Sequence, residues 1–233
     1  MKLGIMQPYF FPYIGYWQLI NLVDKYVIYD DVNYIKKGWI NRNKILMYNK
    51  DIFINLPIHK SSQNKYINEL SLSNDIIDHK KKLLKTIRTC YNNAPYFNEV
   101  YSIVEDIVTN NDWNLASYLQ YSIQKVCEFL SIDTEIIVSS NINKNNYLEG
   151  QDKIIEICEV LKAKEYINAI GGRDLYTTNV FNDKDIKIKF LQTENIEYQQ
   201  FGNKFIPNLS IIDVMMFNSR EQISGMLNNY SLR

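Results

Sequence analysis

The chain has 233 residues, 26 basic against 26 acidic, and an apolar fraction of 46%. That length and composition suit one large domain with its own core, and a formal net charge of zero speaks against a dedicated DNA-binding protein. No apolar run is long enough to span a bilayer, and the three widely spaced cysteines, Cys90, Cys127 and Cys158, read as reduced thiols of a cytoplasmic protein.

Lys2-Leu3-Gly4-Ile5-Met6 is a short apolar run and predicts a buried first strand. Pro8 and Pro12 then break regular structure. From Ile14 the spacing of Ile14, Trp17, Ile20 and Val23 predicts a helix. Tyr26-Val27-Ile28-Tyr29 predicts a second strand that ends in Asp30-Asp31. Strand, turn, helix and strand within about thirty residues make a βαβ unit.

Ser73 is the candidate cap of a helix carrying Ile76, Ile77, Leu83, Leu84 and Ile87. His79-Lys80-Lys81-Lys82 fits the solvated face of that helix. Two further helical patterns run through Val100–Val108 and Leu115–Leu130. Strand signals resume at Glu135-Ile136-Ile137-Val138, followed by a helix holding Ile154, Ile155, Cys158 and Leu161. Glu165-Tyr166-Ile167-Asn168 predicts a strand leading into Gly171-Gly172. Ile186, Ile188 and Phe190 alternate as a strand does. Ser219-Arg220-Glu221-Gln222 is a capping box before a last helix. Strands and helices thus alternate around a helical block. The expectation is one α/β domain over residues 1–233, with a mostly parallel sheet and a helical insertion at about 73–131.

Open α/β sheets bind ligands beyond the carboxyl ends of their strands. Three turns qualify: Gln7 to Tyr16, Asp30 to Asn43, and Asn168 to Tyr176. In the first, Gln7, Tyr9, Tyr13 and Tyr16 form a candidate wall for a sugar or a base, and an aromatic-rich core edge is the competing reading. In the second, Lys37 and Arg42 are candidates for gripping phosphate, Tyr34 and Trp39 for stacking, and Asn41 for donating to an oxyanion. A polar surface hairpin with a buried tryptophan is the alternative there. In the third, Gly171 and Gly172 permit close backbone approach beside Asn168 and Asp174. Asp31 and His59 are the candidate general bases. No cluster has metal spacing, and neither a P-loop, a G-x-G-x-x-G fingerprint nor a G-x-S-x-G elbow occurs.

The stretches MQPYFFPYIGYWQLI at 6–20, DDVNYIKKGWINRN at 30–43, NAPYF at 93–97, YINAIGGRDLY at 166–176 and FIPNLSIID at 205–213 together resemble the WbqC-like family, in that family's order, from residue 1 to about residue 218. The resemblance implies a role in O-antigen and other surface-polysaccharide biosynthesis, with glycyl or similar aminoacyl transfer to the amine of a nucleotide-linked amino sugar. The resemblance does not name the activated donor; an adenylate made from ATP and an aminoacyl-tRNA such as glycyl-tRNA are the two options. The alternatives are a non-catalytic nucleotide-sugar-binding or scaffold protein, and nucleotidyl transfer. A fainter likeness concerns Tyr13-Ile14-Gly15-Tyr16, which stands where nucleotidylyltransferases carry H-x-G-H. The Rossmann-like fold agrees with that place, but both histidines are tyrosines, which cannot carry the cation that steadies pyrophosphate. Nothing in the sequence sets an oligomeric state.

Overall fold

A computed structural model describes residues 1–202 and 204–233. In chain order the elements are β1 (Lys2–Met6), α1 (Ile14–Leu22), β2 (Lys25–Ile28), β3 (Arg42–Met47), β4 (Lys50–Asn55), α2 (Ile76–Tyr91), α3 (Phe97–Thr109), α4 (Leu115–Leu130), β5 (Glu135–Val138), α5 (Gly150–Val160), β6 (Glu165–Ala169), α6 (Thr178–Asn182), β7 (Lys187–Thr193), α7 (Ile211–Phe217), α8 (Arg220–Leu227) and β8 (Tyr230–Leu232). Short 3-10 turns lie between some of them.

The main sheet is six-stranded, in the order β5-β2-β1-β6-β7-β8. All neighbours pair in parallel except β7 with β8. Taken in chain succession, the five parallel strands read 3-2-1-4-5, the order of a Rossmann-like sheet with its switch point between β1 and β6. Met1–Asp31 and Glu135–Leu191 therefore share one sheet, as the sequence predicts.

Alternation along the strands divides the core in two. Tyr26 and Ile28 face one apolar cluster with α1, α4 and α7, whereas Leu3, Ile5 and Val27 face a second with α5 and Phe181. Helix α1 is buried continuously from Ile14 to Ile20. Its one polar residue in that run, Gln18, is fully satisfied: Nε2 donates to the Met226 and Asn229 carbonyls, and Oε1 accepts from Thr193 Oγ1. This joins α1 to α8 and to the end of β7. Trp17 is fully buried, with its indole donating to the Pro12 carbonyl at 3.0 Å. Truncating it to alanine would cost about 3–5 kcal/mol.

The interval between β2 and β5 holds α2, α3 and α4, where the periodicity predicts helices, preceded by the β3–β4 hairpin, which it does not. The hairpin turns at Tyr48 and Asn49, both with positive φ (47° and 61°). That is a tight primed turn without the usual Asn-Gly signature. Asp75 rather than Ser73 occupies the N-cap of α2. Asn114 caps α4, accepting from Ser117 N at 3.1 Å. The capping box at Ser219 and Gln222 forms as the sequence predicts.

Candidate functional site

The ladder between β1 and β6 ends at Gly4↔Ile167, although β1 runs on to Met6 and β6 to Ala169. The ladder between β1 and β2 continues to Met6↔Ile28. The two central strands therefore part before their carboxyl ends, at the switch point where such sheets bind ligands.

The chain leaving β1 is fixed by groups from two distant segments and from the nearby helix α1. Asn43 Nδ2 donates to the carbonyls of Phe10 (3.1 Å) and Phe11 (2.8 Å). Ser210 Oγ donates to the Phe11 carbonyl (2.9 Å), and the Pro12 carbonyl accepts from both Trp17 Nε1 and Ile211 N. Phe10 N donates to the Trp39 carbonyl (3.2 Å). Phe11 is held at φ 44°, a conformation costly for a bulky side chain that persists where surrounding contacts over-determine it. Three of the sequence motifs thus meet in one hydrogen-bonded knot. Asn43 and Ser210 are the working residues missing from the sequence-based site; both lie inside quoted motifs, but nothing local shows that they would reach Phe11.

Over this knot lies a cleft of about 460 Å³ lined by Tyr9, Pro12, Tyr13, Trp39, Asn43, Lys44, Pro207 and Asn208. Tyr13 also lines an adjoining cleft of about 410 Å³ with Thr193, Asn195 and Tyr198. The structure brings Tyr9, Tyr13 and Trp39 together here. Arg42 stands beside them. Its guanidinium lies 4.7 Å from the Phe53 ring centre and 6.0 Å from that of Trp39, and it donates to the carbonyls of Gly38 and Lys37. Trp39 and Phe53 stack with centroids 6.5 Å apart and remain 43% and 52% exposed. The aromatic pair and the cation form a ready-made face on the hairpin. Lys37 is exposed on the turn leading into it.

The other sequence candidates lie outside the lining of these two clefts. Tyr16 is buried, and its hydroxyl donates to the Gln7 carbonyl (3.1 Å) behind Tyr9. The space above Gly15 that the likeness to nucleotidylyltransferases reserves for a nucleotide is filled by Tyr13 itself: a Cβ on Gly15 would overlap the Tyr13 hydroxyl and stand 2.5 Å from Thr193 Oγ1. Tyr34 is buried and donates to Asn41 Oδ1 (2.8 Å), while Asn41 Nδ2 donates to the Leu56 carbonyl (2.7 Å). At the end of β6, Asn168 Nδ2 donates to the Tyr166 and Tyr176 hydroxyls, both at 2.9 Å. A Cβ on Gly172 would come within 3.1 Å of that amide nitrogen, so the glycine allows the turn to close over Asn168. Gly171 and Asp174 are exposed on this turn. His59 is exposed on the connection after β4, with its backbone N–H bound to the Ser71 carbonyl.

Asp31 sits at the end of β2 in an ion cluster. Its Oδ2 lies 2.8 Å from Lys144 Nζ and 3.1 Å from Lys153 Nζ, and both lysine side chains are buried. Lys153 also donates to the Asp31 carbonyl (2.7 Å). Burial pushes the Asp31 pKa up. The Lys144 hydrogen bond, the neighbouring Ser139 hydroxyl and Lys153 outweigh that and hold it below the ordinary value. Asp31 Oδ1 and Ser139 Oγ are both buried without a hydrogen-bond partner among the described residues. A second buried acid, Asp213, accepts from Tyr91, Tyr198 and Gln200, each at 2.7 Å. Burial raises its pKa despite those donors. It ties the chain after β7 to the core.

Burial pushes the three cysteine thiols up to about 11 for Cys90 and about 12 for Cys127 and Cys158, which leaves them poor nucleophiles. Among the described residues no group of His, Cys, Asp and Glu is arranged to hold a metal, and no helix is long and apolar enough to cross a membrane.

The profile of the WbqC-like protein family matches residues 7–225. An uncharacterized protein of Mycobacterium tuberculosis is 27% identical over 221 residues, 93% of this chain and 93% of that protein. No solved structure matches.

Proposed function

Since this chain belongs to the WbqC-like protein family, we propose that it is a transferase of surface-polysaccharide biosynthesis that N-acylates the amine of a nucleotide-linked amino sugar with a glycyl or other aminoacyl group. The observation that supports this most is the rigid aromatic cleft beside the chain leaving β1, where Tyr9, Tyr13 and Trp39 stand over the knot that fixes that chain. Flat rings with polar edges suit a base or a sugar, and Arg42 and Lys44 nearby suit a diphosphate. The setting is the cytoplasm, which agrees with three unpaired cysteines.

In the reaction the amine nitrogen bonds to the acyl carbonyl carbon, the bond from that carbon to the donor's oxygen breaks, and the amine's proton passes to a base. The donor is an adenylate formed from ATP or an aminoacyl-tRNA, glycyl-tRNA among them. Of the two candidate bases, Asp31 is made a weak one by its two ammonium partners, and its charge instead holds Lys144 and Lys153 at the strand end. His59 has an imidazole open to solvent.

One observation favours a second reading, a binding or scaffold protein of the same pathway. Neither candidate base is seated against the aromatic cleft's lining. Turnover separates the two. The chain is incubated with amino-sugar nucleotides and either glycyl-tRNA or glycine plus ATP, and the sugar nucleotide is weighed by mass spectrometry. A product heavier by one glycyl group supports the transferase. Saturable binding without product supports the binder, and pyrophosphate release that needs no glycine would point to nucleotidyl transfer.

A further inference from the structure

A second pocket, of about 230 Å³, lies beyond the carboxyl ends of β2 and β5, under the first turns of α4. Ile28 and Val138 form its base, and Asp30, Asn68, Ser117, Gln120, Ser140 and Asn141 supply its polar lining. It is smaller than the roughly 300–1,000 Å³ of a pocket for a drug-sized ligand, so it suits one ring-sized fragment. No lysine, arginine or histidine lines it.

Asp30 is its only ionic group and is 2% exposed. Its Oδ1 accepts from Ser140 N (2.9 Å), and its Oδ2 accepts from Ser140 Oγ (2.6 Å) and, more weakly, from Asn68 Nδ2 (3.3 Å). A carboxylate offers about four acceptor sites, so one remains on Oδ1. The adjacent Asp31 has two ammonium partners, whereas Asp30 makes no ion pair among the described residues. A carboxylate buried beside a cavity without a cation is costly unless something supplies one. Asn68 is itself anchored: its backbone N–H donates to the Asp30 carbonyl (3.1 Å), and its own carbonyl accepts from Asn114 Nδ2 (2.7 Å). The carboxylate is therefore held in place before any ligand arrives.

We infer that this pocket is the subsite for the amine-bearing ring, with Asp30 receiving the ligand's ammonium group and Gln120, Asn141 and Ser117 meeting its hydroxyls. The inference rests on the amino-sugar reading above and deepens it. The absence of a cation in the lining turns away phosphates and free carboxylates. It also makes Asp30, rather than Asp31, the acid that meets the acceptor amine.

The test is an amide-resolved NMR titration of the full chain with D-glucosamine, D-glucose and N-acetyl-D-glucosamine, and separately with UDP. Glucosamine is expected to shift the backbone signals of Ser117, Gln120, Ser140 and Asn141, and to bind about tenfold more tightly than the other two sugars. Asp30→Asn should remove that preference. Ser117→Trp, a surface change at the mouth of the pocket that spares Asp30, should abolish the shifts in a chain that still folds. Equal responses to all three sugars, or shifts confined to other regions, would overturn the subsite. If UDP shifts Tyr9 and Trp39 while glucosamine leaves the pocket unmoved, the subsite fails and the nucleotide-sugar reading stands. If glucosamine binds here and UDP binds nowhere, the nucleotide-sugar reading fails and the amine subsite survives it.

Discussion

The Tyr13 hydroxyl lies where a side chain on Gly15 would begin, so position 15 in the first turn of α1 can carry only glycine with Tyr13 in this position. The two residues set the wall shared by the adjoining clefts. Gly15→Ala is expected to drive the phenol outward, to cost about 1–3 kcal/mol of stability through overpacking, and to weaken nucleotide-sugar binding. Thermal melting and calorimetric titration check both. An unchanged melting temperature with unchanged affinity would mean that Tyr13 has another place to go at no cost.

Arg42→Ala and Trp39→Ala test the hairpin face. Trp39 is largely exposed, so its loss should change folding little, whereas Arg42 also donates to the Gly38 and Lys37 carbonyls, so its affinity is read beside its melting temperature. Loss of charge-assisted bonds from Arg42 to a diphosphate should cost about 1.5–3 kcal/mol, roughly ten- to a hundredfold in affinity, and loss of stacking on Trp39 about 0.5–1.5 kcal/mol. Titration with UDP alone measures these effects without the sugar. Wild-type affinity in the Arg42 variant would remove the phosphate role.

The Asp31 cluster gives a pH dependence with a defined sign. The native pKa of Asp31 lies below its ordinary 3.8, so its stabilisation is present above about that pH and is lost as pH falls through the depressed native value. Asp213 works in the opposite direction, because its native pKa is raised. The readout is therefore the difference in melting temperature between wild type and Asp31→Asn. That difference should be large at pH 7, where the variant leaves two buried ammonium groups without a carboxylate at a cost of about 3–5 kcal/mol, and should shrink toward pH 3. A difference that does not vary with pH would show that Asp31 does not carry the charge.

The thiols supply a control on the core. Native protein at pH 7.5 should resist iodoacetamide at Cys90, Cys127 and Cys158, and all three should react once denaturant is added. Rapid alkylation of any one in the native state would contradict its burial and raised pKa.

Strands β1, β2, β5 and β6 were readable because each is a short apolar run closed by a turn, and β7 because its apolar residues alternate. The β3–β4 hairpin was not. Its turn is Tyr48-Asn49 instead of Asn-Gly, and its strands start from Arg42 and Lys50, inside and just after a stretch dense in polar residues. Helix α7 and strand β8 also escaped notice, being seven and three residues long. In the site, the strand-end rule and the motifs pointed to Tyr9, Tyr13 and Trp39, which do meet. What no local pattern could give is partnership over distance. Lys153 reaches Asp31 across 122 positions, and Ser210 reaches Phe11 across 199. The same limit hid the difference between Asp30 and Asp31, neighbours in sequence whose side chains find a serine and an asparagine in one case and two lysines in the other.

The most direct measurement is a crystal structure of the chain with a nucleotide-linked amino sugar bound. The account places the nucleotide against Tyr9 and Trp39, its diphosphate toward Arg42 and Lys44, and the sugar amine toward Asp30. Density for the ligand in the groove lined by Gln222, Gly225 and Met226 instead, with the cleft at Tyr13 empty, would contradict it.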